Sequence, residues 1–193
     1  MARSNRERTE ATRLALIEAA RRLFVEKGYA ETATPDIAAA AGVTRGALYH
    51  HFEDKKALFC AVLEREAAAV ATDIGERARP AGSARAALLL GASAYFDAMA
   101  VPGRTRLLLL EAPAVLGIAA GPADRDHAEE TLKAGLGDLL GSAAGDDRLG
   151  ALTALLSAAF DRAALAIAAG GNRGAYEDAV ADLIDGLVSP PAR

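Results

Sequence analysis

Residues Thr34 to Lys55 read TPDIAAAAGVTRGALYHHFEDK. Two short helical segments meet at Ala41-Gly42-Val43. A helix-turn-helix joins two helices at a steep angle through a short turn that often contains glycine. The first segment opens on Thr34-Pro35-Asp36. Threonine suits an N-cap, proline the first helical position, and aspartate the positive end of the helix dipole. Ile37, Ala38 and Ala41 give it an apolar side, and Gly42 stops it. Thr44 caps the next helix, which ends near Phe52. On that helix Leu48 and Phe52 stand four apart and share an inner face with Val43. Gly46 and His50 lie roughly opposite, flanked by Arg45, Ala47 and Tyr49.

These outward residue types suit a DNA major groove. Arg45 can donate bidentately to guanine O6 and N7, and Ala47 can touch a thymine methyl. Gly46 lets the backbone approach closely. Tyr49 and His50 can donate to phosphates or base edges, and His51 reaches toward the backbone. Thr34 and Thr44 offer hydroxyls and amides to phosphates. Lys55 adds a phosphate charge, and Arg3, Arg6 and Arg8 form a basic arm. Any helical hairpin with glycine at its turn shares part of this pattern, so the wider chain has to decide.

The chain has 193 residues, 52% hydrophobic and 25% charged, enough to fill a core. It is rich in alanine, poor in β-branched runs and only 5% aromatic, which predicts an all-α protein. Cys60 is the single cysteine, so no intramolecular disulfide forms, and it is expected to act as a small apolar filler. The polar start MARSNRERTEATR is unlike a signal peptide. The uncharged run from Leu149 to Phe160 is 12 residues, well short of the ~20 that span a bilayer. A soluble, cytoplasmic protein without a membrane partner is expected. The net charge of −4 is unevenly spread. Residues 1–60 hold ten Lys+Arg against eight Asp+Glu, and residues 61–193 hold twelve against eighteen. A weakly basic head on an acidic body fits DNA binding.

Periodicity and breakers predict about nine helices. The first runs from Arg8 to Lys27 and ends at Gly28. A long fourth helix, capped by Glu53-Asp54, fades by Pro80. Later helices fall at about Ser83–Ala100, Gly103–Glu111, Pro122–Leu140, Arg148–Ala169 and Gly174–Val188. The expected organisation is a mobile basic arm over 1–8 and a helix-turn-helix domain over 9–55, its motif at about 33–52. A connecting helix and joint follow over 56–82, then a body over 83–193 with a mobile end at Ser189–Arg193.

The run TRLALIEAARRLFVEKGYAETATPDIAAAAGVTRGALYHHFEDKKALFCAVLE strongly resembles the TetR family of transcriptional regulators. The match covers about Thr12 to Glu64. It includes Gly28-Tyr29, Asp36-Ile37-Ala38, Ala41-Gly42-Val43, Leu48-Tyr49 and His51-Phe52 with Lys55. Many spaced matches together make it specific. The resemblance implies a homodimer whose heads occupy the two half-sites of a palindromic operator. It also implies a C-terminal ligand-binding and dimerisation domain, with a small-molecule inducer, itself unknown, releasing a repressor. Ala33-Thr34 departs slightly from the Thr-Thr frequent in the family, and Arg45 occupies a variable, specificity-setting place. The body more weakly resembles one C-terminal domain type of the family, through Tyr95-Phe96-Asp97, Arg104-Thr105-Arg106 and Glu111 to Gly117.

Apolar faces at Leu152, Leu155, Leu156 and Ala159, and at Val180, Leu183, Ile184 and Leu187, predict a dimer interface built as a four-helix bundle. The alternative is a core within one chain. A ligand pocket is mostly apolar with a few placed polar groups. Tyr95, Phe96, Met99, Glu111, Leu116, Phe160 and Asp161 are the candidates. Glu111, flanked by leucines and alanines, needs either a cationic ligand or an arginine partner such as Arg104, Arg106 or Arg162.

Other chemistry finds little support. The glycines at 135, 137 and 141 are misspaced for a dinucleotide fingerprint, and no strand precedes them. Asp124, Asp126, His127 and Glu130 read as a solvated charge run, and His50-His51 point ~100° apart on a helix, so no metal or cofactor is expected. No catalytic residue and no enzyme activity is predicted. A ligand-insensitive architectural DNA binder and a small helical enzyme or carrier are the rival readings.

Overall fold

Alanine-rich segments with few β-branched residues wind into helices through the described residues. The computed structural model describes residues 5–78, 82–117, 123–141 and 145–188, without the side chains of 5, 78 and 123–127. Its order is α1 (Asn5–Glu31), α2 (Thr34–Ala40), α3 (Arg45–His51), α4 (Lys55–Ala78) and α5 (Ala84–Met99). Then come α6 (Arg104–Arg106), a π-helical turn (Leu107–Glu111), α7 (Ala112–Leu116), α8 (Ala123–Leu140), α9 (Asp146–Ala168) and α10 (Arg173–Val188). No strand occurs among the described residues. Arg6 and Arg8, expected in a mobile arm, already lie in α1. Arg3, the link over 142–144 and the expected mobile end over 189–193 lie outside the described residues.

The helices form two units. One comprises Met1–Glu66 and Pro102–Pro122, the other Ala67–Val101 and Ala123–Arg193. The division departs from the expected joint near residue 82. The fourth helix is shared between the units, and a segment from the middle of the expected body belongs to the first.

The first unit closes around Leu16, Phe24, Ile37, Leu48, Leu58, Phe59, Leu63 and Leu107, all fully buried. Phe59 sits edge-on to Phe24 at 5.1 Å, and Tyr29 covers both. The turn between α2 and α3 is a Schellman motif. Gly42, at φ 69°, donates to the Ala39 carbonyl and Val43 to that of Ala38. α4 begins on Asp54, whose Oδ1 accepts the Ala57 N–H at 2.7 Å.

Helix α6 and its continuation run past Pro113, where the sequence suggested a stop. A proline ring clashes with the carbonyl four residues back. The wide π turn, in which Ala112 donates back to Leu107, relieves that clash. Buried Glu66 anchors the segment. Its carboxylate accepts from Arg21 Nε at 2.8 Å and from Arg104 Nε at 2.9 Å, joining α1, α4 and α6. Burial alone raises the Glu66 pKa, but the hydrogen bonds and charges of Arg21 and Arg104 outweigh it and hold the carboxyl below its ordinary range.

In the second unit α5, α8, α9 and α10 pack on one another. Ser83 caps α5 by accepting the Ala86 N–H at 3.2 Å. Asp97 takes salt bridges from Arg77 and Arg173. Arg85 pairs bidentately with Asp185, tying α5 to α10. Helix α9 is long and apolar enough by composition to cross a membrane. It carries Asp161 and Arg162 mid-helix, however, and its Phe160 packs within ring contact of Phe96 and Tyr95 on α5. Those contacts pack one face of it against α5.

Removing the Glu66 charge leaves the buried Arg104 guanidinium short of its counter-ion. Glu66→Gln is expected to lower stability at neutral pH by about 3 kcal/mol, measured by denaturant unfolding. The Glu66 pKa is depressed in the folded state, so its contribution is present above the unfolded carboxylate pKa and is lost as pH falls through the folded value. The gap between wild type and variant therefore closes in acid. A constant gap down to acid pH would contradict this role.

Candidate DNA-contact face

Helix α3 is held from beneath by Leu48, fully buried, and by Phe52 just past its end. Successive residues turn ~100°, so Arg45, Tyr49, Gly46 and His50 fall within one outward arc. All four are exposed. Ala47, expected to touch a base, and His51, expected to reach the DNA backbone, lie on the other flank and are half-buried. Burial, helped by the charges of His50 and Arg13, pushes the His51 imidazole below its ordinary pKa.

The two threonines divide their work. Thr44 Oγ1 accepts the Ala47 N–H at 3.2 Å and caps α3, as its type suggests. Thr34 does not cap α2. The carbonyl of extended Ala33 takes the first amide bonds, from Asp36 and Ile37. This frees the Thr34 hydroxyl, which lies 3.1 Å from the Tyr49 hydroxyl. The Arg45 guanidinium sits over the Tyr49 ring at 5.5 Å. Hydrogen bonding to Thr34, then to Arg45, lowers the Tyr49 phenol pKa.

Lys55 departs from the sequence reading. Its Nζ donates to the carbonyls of Tyr29 at 2.8 Å, Thr32 at 3.0 Å and Ala30 at 3.4 Å, and lies 4.3 Å from the centre of the Tyr29 ring. An ammonium has three donors, and all three are engaged in closing the turn after α1. In this structure the lysine caps that turn. The residues it serves are more than twenty positions away, so local spacing gave no sign of it.

Glu111 meets the same turn from the other side. Gly28 breaks α1 at φ 84°. The next amide, Tyr29 N–H, donates to Glu111 Oε2 at 2.7 Å, while Glu111 Oε1 accepts from Arg106 Nε at 3.0 Å. A Cβ on Gly28 would stand 2.8 Å from Arg106 Nη2 and 3.0 Å from Glu111 Oε1. Glu111 therefore has a protein partner and is not a pocket carboxylate. Leu116 likewise packs on the core of the first unit. Thr32, which the sequence reading passed over, is 1% exposed and donates to the Gly28 carbonyl at 2.7 Å.

The other pocket candidates lie in the second unit. Tyr95, Phe96 and Phe160 form one aromatic cluster, and the Tyr95 hydroxyl donates to Asp161 at 2.5 Å. Met99 is buried in the same unit. The expected dimer residues separate by face. Leu156, Val180 and Ile184 are buried within this chain, so their helical rows belong to its own core. Leu155 at 69% and Leu183 at 52% remain open, with Leu152, Ala159 and Leu187 half-buried. Cys60 is a partly buried free thiol, and that burial pushes its pKa up.

Lys55→Met should therefore lower the thermal midpoint, at a cost of about 1.5–3 kcal/mol for a lost charged hydrogen bond. It should leave the salt dependence of DNA binding nearly unchanged. A lost phosphate contact would instead reduce the slope by ~0.9, and titration at several salt concentrations separates the two outcomes.

Comparison with known proteins agrees with this geometry. Residues 16–62 match the family model for bacterial regulatory proteins of the tetR family. Residues 85–190, more than half of the chain, match the tetracyclin repressor-like C-terminal domain. The regulator TtgR of Pseudomonas putida is 38% identical over 111 residues, spanning 55% of this chain and 51% of TtgR. AcrR of Shigella flexneri is 45% identical over 64 residues, 33% of this chain and 30% of AcrR. The chain thus matches about half the length of the first of these relatives and less of the second. A TetR-family regulator from Pectobacterium atrosepticum superimposes with a TM-score of 0.72 at 32% identity, covering 96% of both chains.

Proposed function

The chain belongs to the TetR family of transcriptional regulators, and from that premise we propose that it is a ligand-responsive repressor. In this reading it binds a palindromic operator as a homodimer in the cytoplasm and is released by a small-molecule inducer. The observation that carries the DNA half of this reading is the outward arc of α3. Arg45, Gly46, Tyr49 and His50 are exposed together on a short helix whose opposite side is fixed in a core. Gly46 adds support. A Cβ there would meet only Thr44 Oγ1, at 3.9 Å. The fold has no steric need for this glycine, the second residue of α3. Close approach of a DNA backbone gives it a purpose.

The open Leu155 and Leu183, with half-buried Leu152 and Leu187, supply apolar surface on α9 and α10 for a second copy. In this reading the two α3 helices of the dimer occupy half-sites one DNA turn, ~34–36 Å, apart. Inducer binding is assigned to the second unit around Tyr95, Phe96, Phe160 and Asp161. Two covalent links join that unit to the first: α4, which both units share, and the segment from Pro102, whose Glu111 accepts from the Tyr29 amide.

Selection from a randomised duplex library at moderate salt tests the reading. A two-fold symmetric consensus is expected, and no enrichment over input would refute the proposal. Arg45→Ala should cost about 1–3 kcal/mol and relax preference at one base pair per half-site. The pair Leu155→Asp with Leu183→Asp should yield a folded monomer by light scattering and weaken binding to the full palindrome. A persistent dimer would move the interface elsewhere.

A further inference from the structure

Tyr49 is the large exposed side chain of α3, at 42% exposure, and it contributes nothing to the core beneath. Both of its polar features are nevertheless engaged within the protein. Its hydroxyl meets Thr34 Oγ1 at 3.1 Å, and its ring underlies the Arg45 guanidinium at 5.5 Å. Thr34 is the first residue of α2, so the contact ties the recognition helix to its neighbour. Arg45 and Tyr49 are four apart, the helical spacing at which side chains meet. The three side chains form one stack: Thr34 fixes the phenol, and the phenol carries the guanidinium.

Resting on the DNA-binding reading above, we infer that Tyr49 is a positioning residue that holds Arg45 in the pose from which it reads a base, with Thr34 as its anchor. A free arginine has many rotamers, and ordering it at the moment of binding weakens affinity. A guanidinium already laid along the outward arc forgoes much of that loss. Its planar donor fork, which must align with two acceptors of one guanine, gains most from being pre-set. Direct phosphate contacts by the two hydroxyls make a different prediction. Each hydroxyl would then act independently of Arg45 and equally on every sequence.

The discriminating experiment uses the full chain and the consensus duplex that the wild type selects from a randomised library. Dissociation constants are measured for Tyr49→Phe, Thr34→Val, Arg45→Ala and the two doubles with Arg45→Ala. They are measured on the consensus and on duplexes carrying each single base-pair change. Tyr49→Phe and Thr34→Val should each weaken consensus binding about two- to tenfold. In the Arg45→Ala background the same changes should cost less than about twofold. Their losses should concentrate at the base pair whose preference Arg45→Ala relaxes. Thr34→Ser, which keeps the hydroxyl, should bind like wild type. Additive losses, losses equal at every base pair, or failure of Thr34→Ser to bind would overturn the inference while leaving DNA binding intact. A wild type that selects no consensus would bring down the DNA-binding reading itself. Should Thr34→Val fail to fold, the Tyr49→Phe cycle decides alone.

Discussion

At Gly28, φ 84°, α1 is broken, and the peptide group of Tyr29 that follows is held from both ends. Glu111 accepts its N–H at 2.7 Å, and Lys55 donates to its carbonyl at 2.8 Å. Helix termini leave backbone groups without partners, and a buried one costs free energy unless satisfied. Here the partners are charged side chains from two other segments. The turn therefore does more than end a helix. It joins α1, the start of α4 and the segment ending in α7, and Arg106 and Thr32 complete its hydrogen bonding. The rings of Tyr29, Phe24 and Phe59 pack directly beside it, so core and polar network share one residue.

The second constraint is the buried carboxylate of Glu66. It lies between Arg21 and Arg104, with side-chain exposures of 7% for Glu66 and 8% for Arg104. Ion pairs of this kind add little net stability over an apolar core, because desolvation opposes the Coulomb gain. Breaking one is expensive, since the remaining charge stays buried. The triad is thus better understood as a device of register. It fixes where α6 starts against α1 and α4, and so fixes where Glu111 arrives five residues after Arg106.

Much of the first unit was legible in the sequence because its signals are local. Gly28, Gly42, Thr44 and Asp54 act within a turn of themselves, and each marks the boundary its type suggests. Leu48 and Phe52 face the core as their spacing requires. What spacing did not reveal is pairing across long stretches of chain. Lys55 has the charge of a phosphate contact, and only the fold shows its donors consumed by Tyr29, Ala30 and Thr32. For Glu111 spacing leaves a cationic ligand and an arginine partner both open; its partners are Arg106, one of the arginines the sequence offers, and a backbone amide 82 residues away. Thr34 reads as a cap by type, yet Ala33 takes the first amide bonds and leaves the threonine to Tyr49. The division at Pro102 was hidden for a related reason: nothing in the composition of residues 102–117 separates them from the helices of the second unit on either side. On α9 and α10 the alternation of Leu155 outside with Leu156 inside shows why a broad apolar face cannot by itself say which residues a partner would cover.

Magnitudes distinguish the roles of the two polar centres. Coupling between ligand sites in proteins is typically 1–3 kcal/mol. One charge-assisted hydrogen bond, such as Tyr29 N–H to Glu111, is worth about 1.5–3 kcal/mol. A conformational bias of the size a ligand supplies is thus comparable to making or breaking that single contact. Disrupting the Arg21–Glu66–Arg104 triad costs about 3–5 kcal/mol, a large share of the 5–15 kcal/mol that holds a typical domain folded. By size the triad is therefore the firmer of the two polar centres, and the Glu111 contact is the one closer to the bias a ligand supplies. Between the two centres lies the π turn over Leu107–Glu111, a form that is rare and appears mostly as single turns within α-helices, frequently at functional sites.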